Sequence, residues 1–205
     1  MENTLLHQHL LIKNLKRSTY LFSPIMVEIL HYVAEVPREI LAKTRIYSRT
    51  PMRYVPFYPA QKGGGAITLG SNTWQSITFT ENFFSSDAKL FNGRAYANNL
   101  DTWLRMSAHE AGHLNHTVRY KFFVFYLIIF AYQYLKYGHD AAPLEIEAED
   151  GNRRLKKFQS YLKEQYGSSF LRNLITSEQE DDQKIQRLKV VWTAYQDSIK
   201  GTNKV

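Results

Sequence analysis

The sequence predicts an α+β fold, mainly helical, with a small β-hairpin or sheet just before a central histidine-bearing helix. Three stretches lead to this reading. Gly63–Gly70 and Gln75–Thr80 alternate like two short strands around a polar turn at Ser71-Asn72-Thr73. Leu100–Ala108 reads as the first turns of a helix that continues through His113, with Trp103, Leu104 and Met106 on a buried side and Asp101 or Thr102 as its cap. An apolar run, Phe122–Leu135, is followed by two further helical patterns.

In chain order, residues 24–46 carry an amphipathic pattern (Ile25, Ile29, Val33, Ile40, Leu41) interrupted near Val36-Pro37. Tyr54–Pro59 holds two prolines and reads as an extended connector. The three glycines at 63–65 suit a turn or bulge with unusual backbone angles. Phe122–Leu135 spans fourteen residues between Lys121 and Lys136, short of the ~20 that a membrane-crossing helix requires. It is expected as a buried helix between its two neighbours, its aromatic density leaving a substrate cleft or a membrane surface as the alternatives. A turn around Pro143 opens a second helix running through Tyr166, with Gly151 loosening its start. Ser177–Gln183 is an acidic helix start or linker, leading into a helix to about Ile199 with Ile185, Leu188, Val191, Trp192 and Tyr195 on one side. These patterns divide the chain into an N-terminal segment (1–59), a core (60–166) and a C-terminal helical extension (167–205).

The chemistry concentrates in Ser107–His113, which contains the pattern H-E-x-x-H at His109, Glu110 and His113. Residues four apart on a helix lie one above the other, so both imidazoles project from one face and can approach one zinc ion. Glu110 then sits beside the ion without occupying it, placed to take a proton from water that zinc has acidified. Gly112 inside the motif sacrifices about 1 kcal/mol of helix propensity, which makes sense where another segment comes close. His116 shares the same face, but it lies about 10 Å along the helix from His109, too far to bind the same ion. The metzincin spacing is absent, because Arg119 stands where its third histidine would fall. Glu145, Glu147, His139 and Asp140 all remain open as the third ligand.

Glu145, Ala148 and Glu149 stand in the spacing E-x-x-A-E. With HExxH, this resembles the gluzincin zinc metallopeptidases, whose second helix supplies a glutamate ligand. The resemblance implies a zincin-like core with Glu145 as the third metal ligand, and His139 or Asp140 behind it. It implies that Ala148 is small so that the two helices pack closely. Glu149 stands where the family carries an aspartate, whose role is to support a ligating histidine. A small sheet before the metal helix would align a substrate backbone by strand addition. His139, Tyr137 and Arg153 are chemically suited to stabilise an oxyanion. The order of elements over roughly residues 60–160 resembles small peptidase domains among bacterial polymorphic-toxin and injection-system cargo proteins. That resemblance implies a secreted effector, a delivery system and a neutralising partner protein.

Composition bounds the remaining options. The 205 residues can bury a sizeable core, and 26 Lys+Arg against 19 Asp+Glu give a net charge of +7. The basic residues are scattered and no recognition motif accompanies them, so a solvated basic surface is expected and nucleic acid is not. Cysteine is absent, which removes disulfides, thiolate ligands and cysteine nucleophiles. The first thirteen residues lack the basic start and unbroken apolar stretch of a signal peptide. The expected location is therefore the cytoplasm, or outside the cell by a signal-peptide-independent route. A catalytically silent metal-binding interaction module and a basic protein for nucleic acid or membrane surfaces are the competing classes.

Overall fold

The computed structural model describes residues 8–14, 19–50, 66–80 and 100–202. It is α+β. Strands β1 (Leu11–Asn14), β2 (Thr19–Phe22) and β3 (Arg45–Thr50) precede the expected hairpin, which consists of β4 (Ala66–Gly70) and β5 (Gln75–Thr80). All five form one mixed sheet in the order β1-β2-β3-β5-β4, antiparallel except for the parallel β3–β5 pair. The hairpin closes where expected, with the Ser71 N–H donating to the Trp74 carbonyl. β1 and β2 have no counterpart in the sequence reading. The glycines at 63–65 and the connector at 54–59 lie outside the described residues.

The N-terminal helical pattern resolves into three pieces: α1 (Pro24–Ala34), a single turn α2 (Arg38–Leu41), and β3. The interruption falls where proline excludes helix from the preceding residue, and Glu35 ends α1 in the left-handed region at φ 54°. Arg45 and Ile46, read as the end of a helix, are instead in β3. Sheet pairing overrides local propensity here: Ile46 is fully buried between Tyr20 and Ile77.

The helical part comprises α3 (Leu100–Arg119), α4 (Phe123–Tyr137), α5 (Pro143–Tyr166), α6 (Phe170–Thr176) and α7 (Asp181–Thr202). Leu100 is already helical, so Asp101 lies in the first turn rather than at the cap, where it accepts from Gln159 Nε2 at 3.0 Å. α3 packs on the sheet, with Trp103 stacked on Phe79 and set edge-on to Phe22. α7 turns the expected apolar side inward: Leu188, Val191 and Tyr195 are buried, and Trp192 stacks on Tyr32 of α1. Leu30, Leu104 and Val191, from the three stretches of the chain, belong to one hydrophobic cluster.

Two expectations for the helices need correction. Gly151 lies within α5 and loosens nothing; a Cβ there would stand 2.6 Å from the Ala108 carbonyl oxygen, so it is where α5 crosses α3. The apolar helix α4 is not buried between its neighbours. Only Tyr126 on it is buried, and its outward face is exposed. An apolar run specifies that a helix forms, not that another element covers it. Among the described residues, no helix is long and apolar enough to cross a membrane.

Candidate metal centre

The site is built at the crossing of α3 and α5. Their backbones approach through a reciprocal pair of glycines. A Cβ at Gly112 would lie 2.7 Å from Ala148 Cα, while Gly151 faces Ala108. This closeness lets the short arm of Glu145 on α5 reach two imidazoles on α3. The side-chain nitrogens of His109 and His113 and a carboxylate oxygen of Glu145 all lie within 4.8 Å of one another and can hold a metal ion. Glu145 Oε2 is 3.1 Å from His109 Nε2 and 3.4 Å from His113 Nε2. His113 and Glu145 are buried, and His109 is partly open to solvent.

The surroundings determine which nitrogen of each ring carries a lone pair. His109 Nδ1 donates to Glu149 Oε2 at 3.2 Å, and Glu149 is itself held by Asn152 Nδ2 at 2.6 Å. On the next turn, His116 Nε2 donates to Glu147 Oε2 at 3.1 Å, and Arg119 binds that same oxygen at 2.8 Å. Burial, with the neighbouring His113, lowers the His116 pKa to about 4, so its Nδ1 is a bare acceptor. His113 Nδ1, 3.3 Å away, must then be the donor. Both His109 and His113 therefore keep Nδ1 for these partners and aim Nε2 at one carboxylate oxygen. Glu145 Oε2 is buried and has no hydrogen bond of good geometry. Two imidazole Nε2 atoms and a carboxylate oxygen aimed at one point make a donor set that fits a metal ion.

Without a metal, a proton takes that place. Burial alone would lower the His109 pKa, but the carboxylates of Glu145 and Glu149, with the charge of Glu110, raise it to about 10. Burial of Glu145 pushes the other way from its two imidazole neighbours, which prevail and hold its carboxyl well below the usual range.

Glu110 is buried beside the centre under the sheet. Thr68 Oγ1 of β4 lies 2.7 Å from Glu110 Oε2 and 2.9 Å from the Glu110 carbonyl oxygen, so its hydroxyl anchors this carboxylate. The register explains the contact: Thr68 pairs with Ile77, itself paired with Ile46, in a row of inward residues facing α3. Tyr126 of α4 donates to the Thr68 carbonyl at 3.3 Å. Burial and the charges of Glu110 and Glu145 raise its pKa, so the phenol stays protonated. Phe130 of α4 covers the edge of His113.

The other residues singled out from the sequence fall around this cluster. His139 stands at its rim, half exposed, with Nε2 3.8 Å from Glu145 Oε2 and Nδ1 bonded to Asp140 at 2.8 Å. Asp140 points to solvent, and Glu147 serves His116 and Arg119 rather than the cluster. Arg153 is occupied by Asp150 and the Ile146 carbonyl, and the Tyr137 ring lies under Lys136. Thr68 and Tyr126 were missed. The one available signal for Thr68 was a hydroxyl at an inward position of the alternating β4 strand. The chain matches no protein-family model, no curated protein and no solved structure.

Proposed function

We propose that this chain is a zinc-dependent hydrolase of the gluzincin type, acting on protein or peptide. The observation that carries the reading is the pair of Nε2 atoms at 3.1 and 3.4 Å from one oxygen of Glu145. Two ligands bonded to zinc at ~2.0–2.1 Å in a tetrahedron lie ~3.3 Å apart, close to the two distances from Glu145. A His₂Glu set of this kind leaves a fourth position for chemistry. Zinc held there supplies Lewis acidity toward a water and a substrate carbonyl.

The chain's own residues do the rest. Glu110, with one oxygen anchored by Thr68, offers the other as the base that takes a proton from water and returns it to the leaving amine. Glu149 and the His116–Glu147 pair hold the two ligating rings in the required tautomer and orientation. His139, at the rim, is the nearest group suited to donate to a developing oxyanion. β4 is an edge strand among the described strands and packs on α3, so an extended peptide added to it would pass beside Glu110. A role as a secreted bacterial effector with a neutralising partner fits this chemistry and rests on the toxin-domain resemblance alone.

Elemental analysis of the purified chain beside His113→Ala and Glu145→Ala tests the centre, with one zinc per chain expected and lost in both variants. Zinc retained by Glu145→Ala would remove the gluzincin assignment. Glu110→Gln is expected to keep its zinc and lose cleavage of a peptide library. Stoichiometric zinc with no Glu110-dependent cleavage would instead identify a metal-binding interaction module.

A further inference from the structure

We propose that the outer face of α4 is a docking surface for an anionic lipid bilayer. The helix touches the protein body along one stripe: Tyr126 reaches Thr68, Phe130 meets His113, and Gln133 Oε1 accepts from the Leu144 N–H at 2.9 Å. On the opposite side Val124, Ile128, Tyr132 and Leu135 recur at helical spacing and form one face. Val124 is 61%, Ile128 56% and Leu135 85% exposed. Phe122 and Phe125 extend this face into a shallow apolar recess beside Lys121. A continuous apolar face of this size marks a binding surface; the other exposed large apolar side chains among the described residues, such as Ile12 of β1 and Val190 of α7, lie on separate elements.

Charge selects the occupant. No aspartate or glutamate occurs between Glu110 and Asp140, while Lys121 and Lys136 bracket the helix. The Lys136 ammonium sits over the Tyr132 and Tyr137 rings, 5.5 and 5.0 Å from their centroids. Pairing with a second copy, antiparallel along α4, would bring Lys121 of one chain toward Lys136 of the other with no carboxylate on the segment to compensate. Anionic headgroups pair with both lysines while acyl chains take up the apolar face, and tyrosines at the margin suit the interface. At fifteen residues, α4 is too short to span a bilayer and suited to lie along one. The net charge of +7 favours the same partner. Docking by this face would hold the His109–His113–Glu145 cluster about one helix diameter, ~10 Å, from the lipid surface. The proposal does not depend on the metal being zinc or on turnover.

The test is co-sedimentation of the full chain with vesicles of phosphatidylcholine alone and of phosphatidylcholine mixed with phosphatidylglycerol, at about 0.1 M salt. Binding to the mixed vesicles is expected to exceed binding to phosphatidylcholine by roughly tenfold or more, and to weaken at higher salt. Ile128→Ser with Leu135→Ser should lower it at least about tenfold while far-UV circular dichroism stays unchanged, since both side chains are exposed. Lys121→Glu with Lys136→Glu should abolish the preference for anionic lipid. No sedimentation with either vesicle, or equal binding by the serine variant, would overturn the proposal. So would a concentration-dependent dimer that the serine variant dissolves, since the face would then belong to a second copy.

Discussion

Gly112→Ala tests whether the crossing of α3 and α5 is as close as the geometry requires. Helix propensity alone would make the substitution stabilising by about 1 kcal/mol. Packing opposes it. The new methyl would stand 2.7 Å from Ala148 Cα and 2.8 Å from the Ala148 carbonyl oxygen, where ordinary contact begins at 3.4 Å. Both neighbours are backbone atoms of a long helix, so no side-chain rotation relieves the clash and the helices must separate by about 0.7 Å. Overpacking of this kind costs about 1–3 kcal/mol, leaving a net destabilisation of up to about 2 kcal/mol. For a chain of this size that lowers the melting temperature by up to about 8 °C. Glu145 lies one turn before Ala148 and moves with it, whereas metal–ligand distances tolerate only about 0.2 Å. Zinc affinity is therefore expected to fall roughly tenfold or more. The assay is thermal unfolding of the metal-free chain together with zinc competition against a chromogenic chelator. Gly201→Ala is the control: it is helical with nothing within 4 Å of the added Cβ, and should melt no lower than the parent chain. Ala148→Gly should not rescue the variant, because the obstacle is backbone. A Gly112→Ala protein that melts at or above the parent with unchanged zinc affinity would refute the close crossing.

Three further outcomes are expected. Thr68→Val removes the hydroxyl on Glu110 at nearly constant volume, so zinc content should hold while turnover drops roughly tenfold to a hundredfold; unchanged turnover would show that the 2.7 Å contact does not position the base. His116→Leu removes the acceptor that sets the His113 tautomer and should weaken zinc binding roughly tenfold to a hundredfold, with Glu147→Gln acting in the same direction; a cobalt-substituted protein whose visible spectrum is identical in all three forms would argue against it. The raised pKa of His109, about 10 against an ordinary 6.5, stabilises the metal-free fold fully below pH 6.5 and is lost as pH climbs toward 10. The lowered pKa of Glu145 works in the opposite sense, its contribution present above pH 4.5 and lost on acidification. Because a metal must displace the His109 proton, zinc uptake at pH 7 should release about one proton, measurable by calorimetry in buffers of different ionisation enthalpy; uptake without proton release would refute that protonation state.

The sequence by itself determined what depends on neighbours along the chain. The helical repeat put His109 and His113 on one face, and the same four-residue spacing puts Glu145 and Glu149 together on α5. Alternation located β4 and β5, and the turn chemistry at Ser71–Thr73 closed them. Tertiary structure decided the contacts between segments far apart in sequence. Glu145 was favoured by resemblance alone, with Glu147, His139 and Asp140 still open as third ligands, until the Gly112–Ala148 and Gly151–Ala108 contacts set the phase and distance of α5 against α3. That packing brings Glu145 to the imidazoles and turns Glu147 toward His116 and Arg119. Pairing of β3 with β5 across some thirty residues turned a helical pattern into strand, and the sheet's register set Thr68 over Glu110. The apolar run of α4 marks the same boundary, because composition drives a helix to form while only the packed neighbours decide which face is covered. Local spacing dictates which groups share a face, and only the summed geometry of non-local packing dictates what that face meets.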